Sequence, residues 1–242
     1  MEDKKIYTEG IQPQGKFMKW LDNYWYHYKW ITIGVAFFVV IFLVCTLQTC
    51  EKENEDTTVL YAGPYQMSAR EIESFRGVIN GLMPEDFDGD GKKYAGIVNY
   101  YILSEEQIKE IEAQTDEAGV RLDVNNQYIT SNYDSYYDYI MSGESAICFV
   151  DKHLYYELAK ASRLVPLVSV LGEDSEYESD EYGIILGKTE LYESYSALRA
   201  LPEDTVVCFL RQTVAGRISD DEVYENESAL FSAIVTYTKE EQ

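Results

Sequence analysis

The chain has 242 residues, 46% of them hydrophobic, and a formal net charge of -23. Its hydrophobic content excludes a disordered chain, and its acidity excludes a nucleic-acid-binding protein, because such a surface repels phosphate. The acidity is concentrated. Residues 1–30 hold five Lys against four acids and residues 31–50 hold no charge, so residues 51–242 carry a net -24. For that acidic part the plain reading is solubility, and the sharper one is an attraction for cations or basic partners.

Residues 1–30 read as a cytoplasmic tail that ends in an aromatic belt, Trp20-Leu-Asp-Asn-Tyr-Trp-Tyr-His-Tyr-Lys-Trp30. Trp and Tyr suit the headgroup layer because their rings are apolar while the NH and OH still need water. Residues 31–49 follow as a transmembrane helix. The uncharged stretch Trp30–Leu47 spans roughly 27 Å at 1.5 Å per residue, close to the thickness of a hydrocarbon core. Its β-branched residues favour strand in water, but a lipid-spanning segment must satisfy its own backbone, which selects helix. Lysines precede the span and Glu51-Lys-Glu-Asn-Glu-Asp56 follows it, so the N-terminus is expected in the cytoplasm and the rest outside. A cleaved signal peptide is the alternative; the long n-region and the poor residues before Cys50 argue against it.

Residues 50–57 read as a polar tether, and residues 58–242 as an extracytoplasmic α/β domain. Thr58–Gly63 is an apolar strand. Ser68-Ala-Arg-Glu71 is a capping box, followed by Ile72, Phe75, Val78, Ile79 and Leu82 on one helical face. Tyr94–Leu103 is the next strand, and Ser104-Glu-Glu-Gln107 caps a second helix with Ile108 and Ile111 on its apolar side. Gln127–Ser142 reads as a Tyr-rich helix, and Ala146–Val150 as a strand covered on both faces. Leu154–Ala161 returns as helix, and Tyr182–Leu186 and Thr205–Leu210 as strands. Ser219-Asp-Asp-Glu222 caps a last helix with Leu230, Phe231, Ile234 and Val235 inward. Strands alternating with amphipathic helices imply a layered α/β structure with a largely parallel or mixed sheet.

The run Gly143-Glu-Ser-Ala-Ile-Cys-Phe-Val-Asp151, then a helix, then Leu164-Val-Pro-Leu167 and Tyr182-Gly-Ile-Ile-Leu-Gly187, resembles type II periplasmic solute-binding proteins. The aromatic run before a single span resembles single-pass membrane proteins of Gram-positive, Clostridia-like bacteria. Together the resemblances imply a membrane-tethered, periplasmic-binding-protein-like domain, and the chain length leaves room for one lobe. A small solute, or a transport or envelope protein, is the partner such a domain implies. The alternative is an envelope interaction protein that keeps the fold without ligand capture.

Asp86-Phe-Asp-Gly-Asp-Gly91 is the sharpest local signal. Carboxylates at alternate positions before a turn-forming Gly can wrap a hard cation, so Asp86, Asp88, Asp90 and the backbone carbonyl of Lys92 are candidate calcium ligands. The twelfth position of such a loop is Ile97 rather than Glu, leaving the shell to be completed by Glu85 or a distant carboxylate. The alternative is a metal-free turn held by Asx hydrogen bonds. Gly172–Glu181 holds six carboxylates and reads as a solvated loop or a surface for a basic partner. Tyr133, Tyr136, Tyr137 and Tyr139, with Tyr155 and Tyr156, suggest either sugar stacking or ordinary packing. No catalytic residue is expected: the histidines are His27, in the belt, and His153, just after Asp151, and no nucleophile motif accompanies them. Cys148 and Cys208, each in an apolar run, are either a disulfide or two buried thiols.

Overall fold

A computed structural model describes residues 15–50, 55–115, 120–172 and 180–239. The expected basic N-terminus, the start of the tether and the centre of the acidic Gly172–Glu181 run lie outside these residues. The chain divides into two compact units, Met1–Glu53 and Asn54–Gln242.

The first unit is one helix, α1 (Lys16–Cys50), so the aromatic belt and the apolar stretch share a single rod. Within it Asn23–Cys45 has a mean hydropathy of 2.2 and nothing packed over it. By length and composition this is a helix able to cross a membrane, about 35 Å long. The spacing of four residues stacks Trp20 on Tyr24 and Tyr24 on Tyr28, with ring centroids 5.7 and 5.4 Å apart.

The second unit is mixed α/β, built on one five-stranded sheet. Its first elements are β1 (Thr57–Gly63), α2 (Ala69–Leu82), β2 (Ala95–Tyr101), α3 (Glu105–Glu112) and α4 (Asn126–Ser142). β3 (Ile147–Val150), α5 (Lys152–Lys160), α6 (Leu167–Leu171), β4 (Gly183–Ile185) and α7 (Glu190–Ser194) follow, then β5 (Val206–Phe209) and α8 (Asp221–Val235). The spatial order is β2-β1-β3-β5-β4. β2, β1 and β3 are parallel, whereas β5 runs antiparallel to both β3 and β4.

Strand side chains alternate between faces, so the register puts Val98, Leu60, Cys148 and Cys208 on one side of the sheet. Tyr61, Phe149 and Val207 point to the other. α4 covers the first face, with Tyr136 edge-on to Tyr100 at 6.4 Å. α5 joins it there, where Tyr155 lies over Gly183 so closely that a Cβ on the glycine would be 2.8 Å from the ring. α2 and α8 cover the second face, through Phe75 against Phe149 and Phe231 against Phe209. The central strands β1, β3 and β5 are buried throughout, as expected of strands covered on both sides.

Both capping boxes form. Ser68 and Glu71 exchange side-chain to backbone bonds at the start of α2, and Ser104 and Gln107 do so at α3. The last helix differs from expectation. Asp220 rather than Ser219 is its cap, accepting from Glu222 N and Val223 N, while the Ser219 hydroxyl turns back to the Gly216 carbonyl. α6 and α7 are single-turn helices that no periodicity could announce. Gly143 ends α4 at φ 72°, where a Cβ would lie 2.2 Å from Thr213 Oγ1. Only glycine fits that turn.

Cys148 and Cys208 stand opposite each other in the β3–β5 register as free, fully buried thiols. The Leu210 N to Ala146 O bond fixes the phase of this ladder, making 148–208 a hydrogen-bonded pair, the more widely separated kind. Burial raises both thiols well above their usual range.

Candidate functional site

Among the described residues a pocket of about 470 Å³ opens between α4 and α5 on the Cys148 face. Helix spacing explains its make-up. Tyr133, Tyr136, Tyr137, Ile140 and Met141 fall on the side of α4 turned to α5, which answers with Leu158 and Ala161. Tyr136, Ile140 and Leu158 are buried, while Tyr137 and Met141 remain about half exposed at 54% and 52%. The polar groups are few. Glu157 accepts the Tyr133 hydroxyl at 2.9 Å. Lys160 ends α5, and Arg163 donates from Nη2 to the Ile140 carbonyl at 3.0 Å while its buried Nε has no hydrogen-bond partner. The Tyr136 hydroxyl, beneath the pocket, is likewise unpartnered. An apolar cavity of this volume with few polar groups has the character of a small-molecule site. The cluster of tyrosines thus divides: Tyr139 packs against the core, Tyr133 and Tyr137 line this pocket, and Tyr136 does both.

A second place of interest lies at the carboxyl ends of β1 and β3, the point where the chain order reverses and where open α/β sheets bind ligands. Asp151 caps α5 there, bonding His153 N at 2.9 Å and His153 Nδ1 at 2.5 Å through Oδ1. Gln107 Nε2 reaches its other oxygen at 3.0 Å. Burial works to raise the Asp151 pKa, but the bonds from His153 and Gln107 prevail and hold it below the usual range. The Asp–His pair serves the α5 cap, and among the described residues no serine hydroxyl bonds to His153.

In the acidic loop the structure brings in a carboxylate that the sequence reading left out and turns one of the expected ones away. Asp56, Asp86 and Asp88 offer carboxylate oxygens all within 4.8 Å of one another. Asp90 turns to Lys92 N instead. Asp56 was assigned to the tether, yet the β1–β2 register carries it to Tyr94, with which it exchanges backbone and side-chain bonds. It also accepts from Phe87 N and Asp88 N. Glu85 is not in the cluster. Asp86 accepts from Gly89 N and Gly91 N, and Asp88 from Asp90 N. Those Asx bonds order the loop by themselves, with Gly89 and Gly91 taking the positive φ the turns require.

The electrostatics within the loop diverge. The Gly91 amide, more than any other group, holds Asp86 below the usual carboxylate range. Asp88 is bonded by the Asp90 amide, yet desolvation and its neighbours Asp90, Asp56 and Asp86 leave it above that range. Oxygen-only donors under mutual repulsion suit a hard cation such as calcium, with Asp56, Asp86 and Asp88 as its holders.

The most perturbed carboxyl belongs to no expected site. Glu227 of α8 is fully buried, and desolvation above all pushes its pKa up to about 7. Its Oε2 accepts Ala146 N at 2.6 Å, whereas Oε1 has no hydrogen bond and lies 3.7 Å from Arg217 Nη1. Arg217 also donates to Thr58 Oγ1 and to the carbonyls of Asp56 and Glu55, tying α8 to the start of β1. No protein-family model matches the chain, and no curated protein or solved structure matches it either.

Proposed function

We infer that this chain is a non-enzymatic, membrane-anchored binding module: α1 holds it in the membrane, and a single acidic, binding-protein-like α/β lobe works on the extracytoplasmic side. The observation that carries the reading is the α4–α5 pocket, a preformed apolar cavity of about 470 Å³ on a lobe with one sheet. The resemblance to solute-binding proteins, on a chain with room for one lobe, did not carry capture between two lobes with it. With one compact unit after the helix, ligand is instead taken on the lobe itself. The order of charges around the span supports an N-terminus inside and a lobe outside.

The test is a thermal-shift screen of the lobe, residues 54–242, against small solutes, repeated with the pocket filled by Met141→Trp. A shift lost in the filled variant supports the reading. No shift by any solute, or one that survives filling, overturns it and leaves the envelope interaction protein, which the one-lobed architecture also favours. Protease added to intact cells should remove the lobe. Protection of the lobe from that protease would reverse the orientation.

A further inference from the structure

The charge of the α4–α5 pocket is opposite to that of the domain that carries it. Residues 51–242 have a net charge of -24, with 15 basic residues among them. Two of those, Lys160 and Arg163, meet at this one cavity, against a single carboxylate, Glu157. Glu157 is already engaged by the Tyr133 hydroxyl. The Arg163 side chain is held in place by its bond to the Ile140 carbonyl at the end of α4, so its charge is fixed at the pocket rather than swept through solvent. The rest of the lining, Tyr136, Tyr137, Ile140, Met141, Leu158 and Ala161, is apolar apart from the tyrosine hydroxyls, with Tyr137 and Met141 half exposed.

A sugar fits such walls poorly, because its hydroxyls outnumber the few polar groups here and most would lose water against Ile140, Met141, Leu158 and Ala161. A wholly apolar solute would leave the two cations without a counter-charge. A basic solute would be repelled at the pocket. The combination fits one class: an apolar chain or ring that ends in a single anionic group.

Resting on the binding-module reading above, we propose that the α4–α5 pocket binds a monomeric anionic amphiphile, its apolar body against Ile140, Leu158 and Ala161 and its carboxylate or equivalent anion at Lys160 and Arg163. The cation Lys160 is solvent-exposed, so its share is modest, about two- to fivefold in affinity.

The closing experiment measures calorimetric binding and thermal shift of residues 54–242, a unit with its own core, with three ten-carbon probes below their micellar range: decanoate, decanol and decyltrimethylammonium. Decanoate should bind tightest, decanol at least about threefold more weakly, and the cation not measurably. Lys160→Glu should weaken decanoate and leave decanol unchanged. Ala161→Trp and Met141→Trp, at two exposed positions on opposite walls, should each abolish both. Equal affinity for decanoate and decanol, or no effect of Lys160→Glu, overturns the anionic class while leaving the binding module standing. No binding of any probe, or binding that survives both filled variants, overturns the pocket itself.

Discussion

Replacing Glu227 by Gln isolates a fully buried carboxyl whose ionisation opposes folding. Its folded pKa is raised from 4.5 to about 7, chiefly by desolvation. A group with a raised folded pKa supports stability below its unfolded pKa and loses that support as pH climbs to the folded value. Between pH 4.5 and 7 the native state therefore binds more protons than the unfolded chain, and stability falls as pH rises. A shift of this size, at 1.36 kcal/mol per unit, corresponds to about 3 kcal/mol. Gln keeps an oxygen for Ala146 N, and Arg217 keeps its bonds to Thr58 Oγ1 and the Asp56 carbonyl. The variant should thus match the parent near pH 4.5 and exceed it by about 3 kcal/mol at pH 8. Urea unfolding of residues 54–242 at half-unit pH steps reads the difference directly, since every other carboxyl titrates in both proteins. A difference that does not change with pH, or a variant less stable at pH 8, would refute the reasoning and make the Arg217 pair net stabilising.

Calcium at a hundredfold excess over its dissociation constant should stabilise the lobe by about 2.7 kcal/mol, read as a rise in Tm, and Asp56→Asn should remove most of it. An unchanged Tm at millimolar calcium returns the loop to its Asx bonds alone. Gly143→Ala should cost about 2 kcal/mol, because the residue sits at φ 72° and its Cβ would press on Thr213 Oγ1. Equal melting would show that the Thr213 loop yields freely. Native lobe should take up no maleimide at Cys148 or Cys208 and two equivalents in urea. A single unreactive pair in urea without reductant would reveal a disulfide. Asp151→Ala should lose about 1 kcal/mol through the α5 cap and the Gln107 bond. Because the Asp151 pKa is lowered, that difference should be present at neutral pH and fade as pH falls through the acid range.

What could be read ahead of the structure was what depends on near neighbours. The capping boxes at Ser68 and Ser104, the helical face of Phe75, Val78 and Ile79, and the continuous apolar run of β3 all declare themselves within a turn or two of chain. The Asp86–Gly91 loop was legible for the same reason. Asp56 was not, because its partners Phe87 and Asp88 are 31 and 32 residues away and only the β1–β2 register brings them to it. The pocket was equally hidden. Its tyrosines are visible in the sequence, but their distribution between interior and rim depends on how α5 lies beside α4. The antiparallel β5 has no local signature, since an apolar strand reads alike in either direction.

The placement of Asp56 and β1 has a mechanical consequence. Force arriving along the chain from the N-terminal side enters the lobe at Asp56, which is bonded to Tyr94, and passes straight into β1. That strand is central, flanked in parallel by β2 along Thr57–Gly63 and by β3 along Val59–Ala62. A pull along its axis must slide it against both neighbours at once, loading the ladder bonds side by side rather than opening them one after another. Resistance to such a pull is set by the unfolding rate rather than by the equilibrium stability. A pull on the lobe from its N-terminal end would therefore meet a shear joint at its first strand.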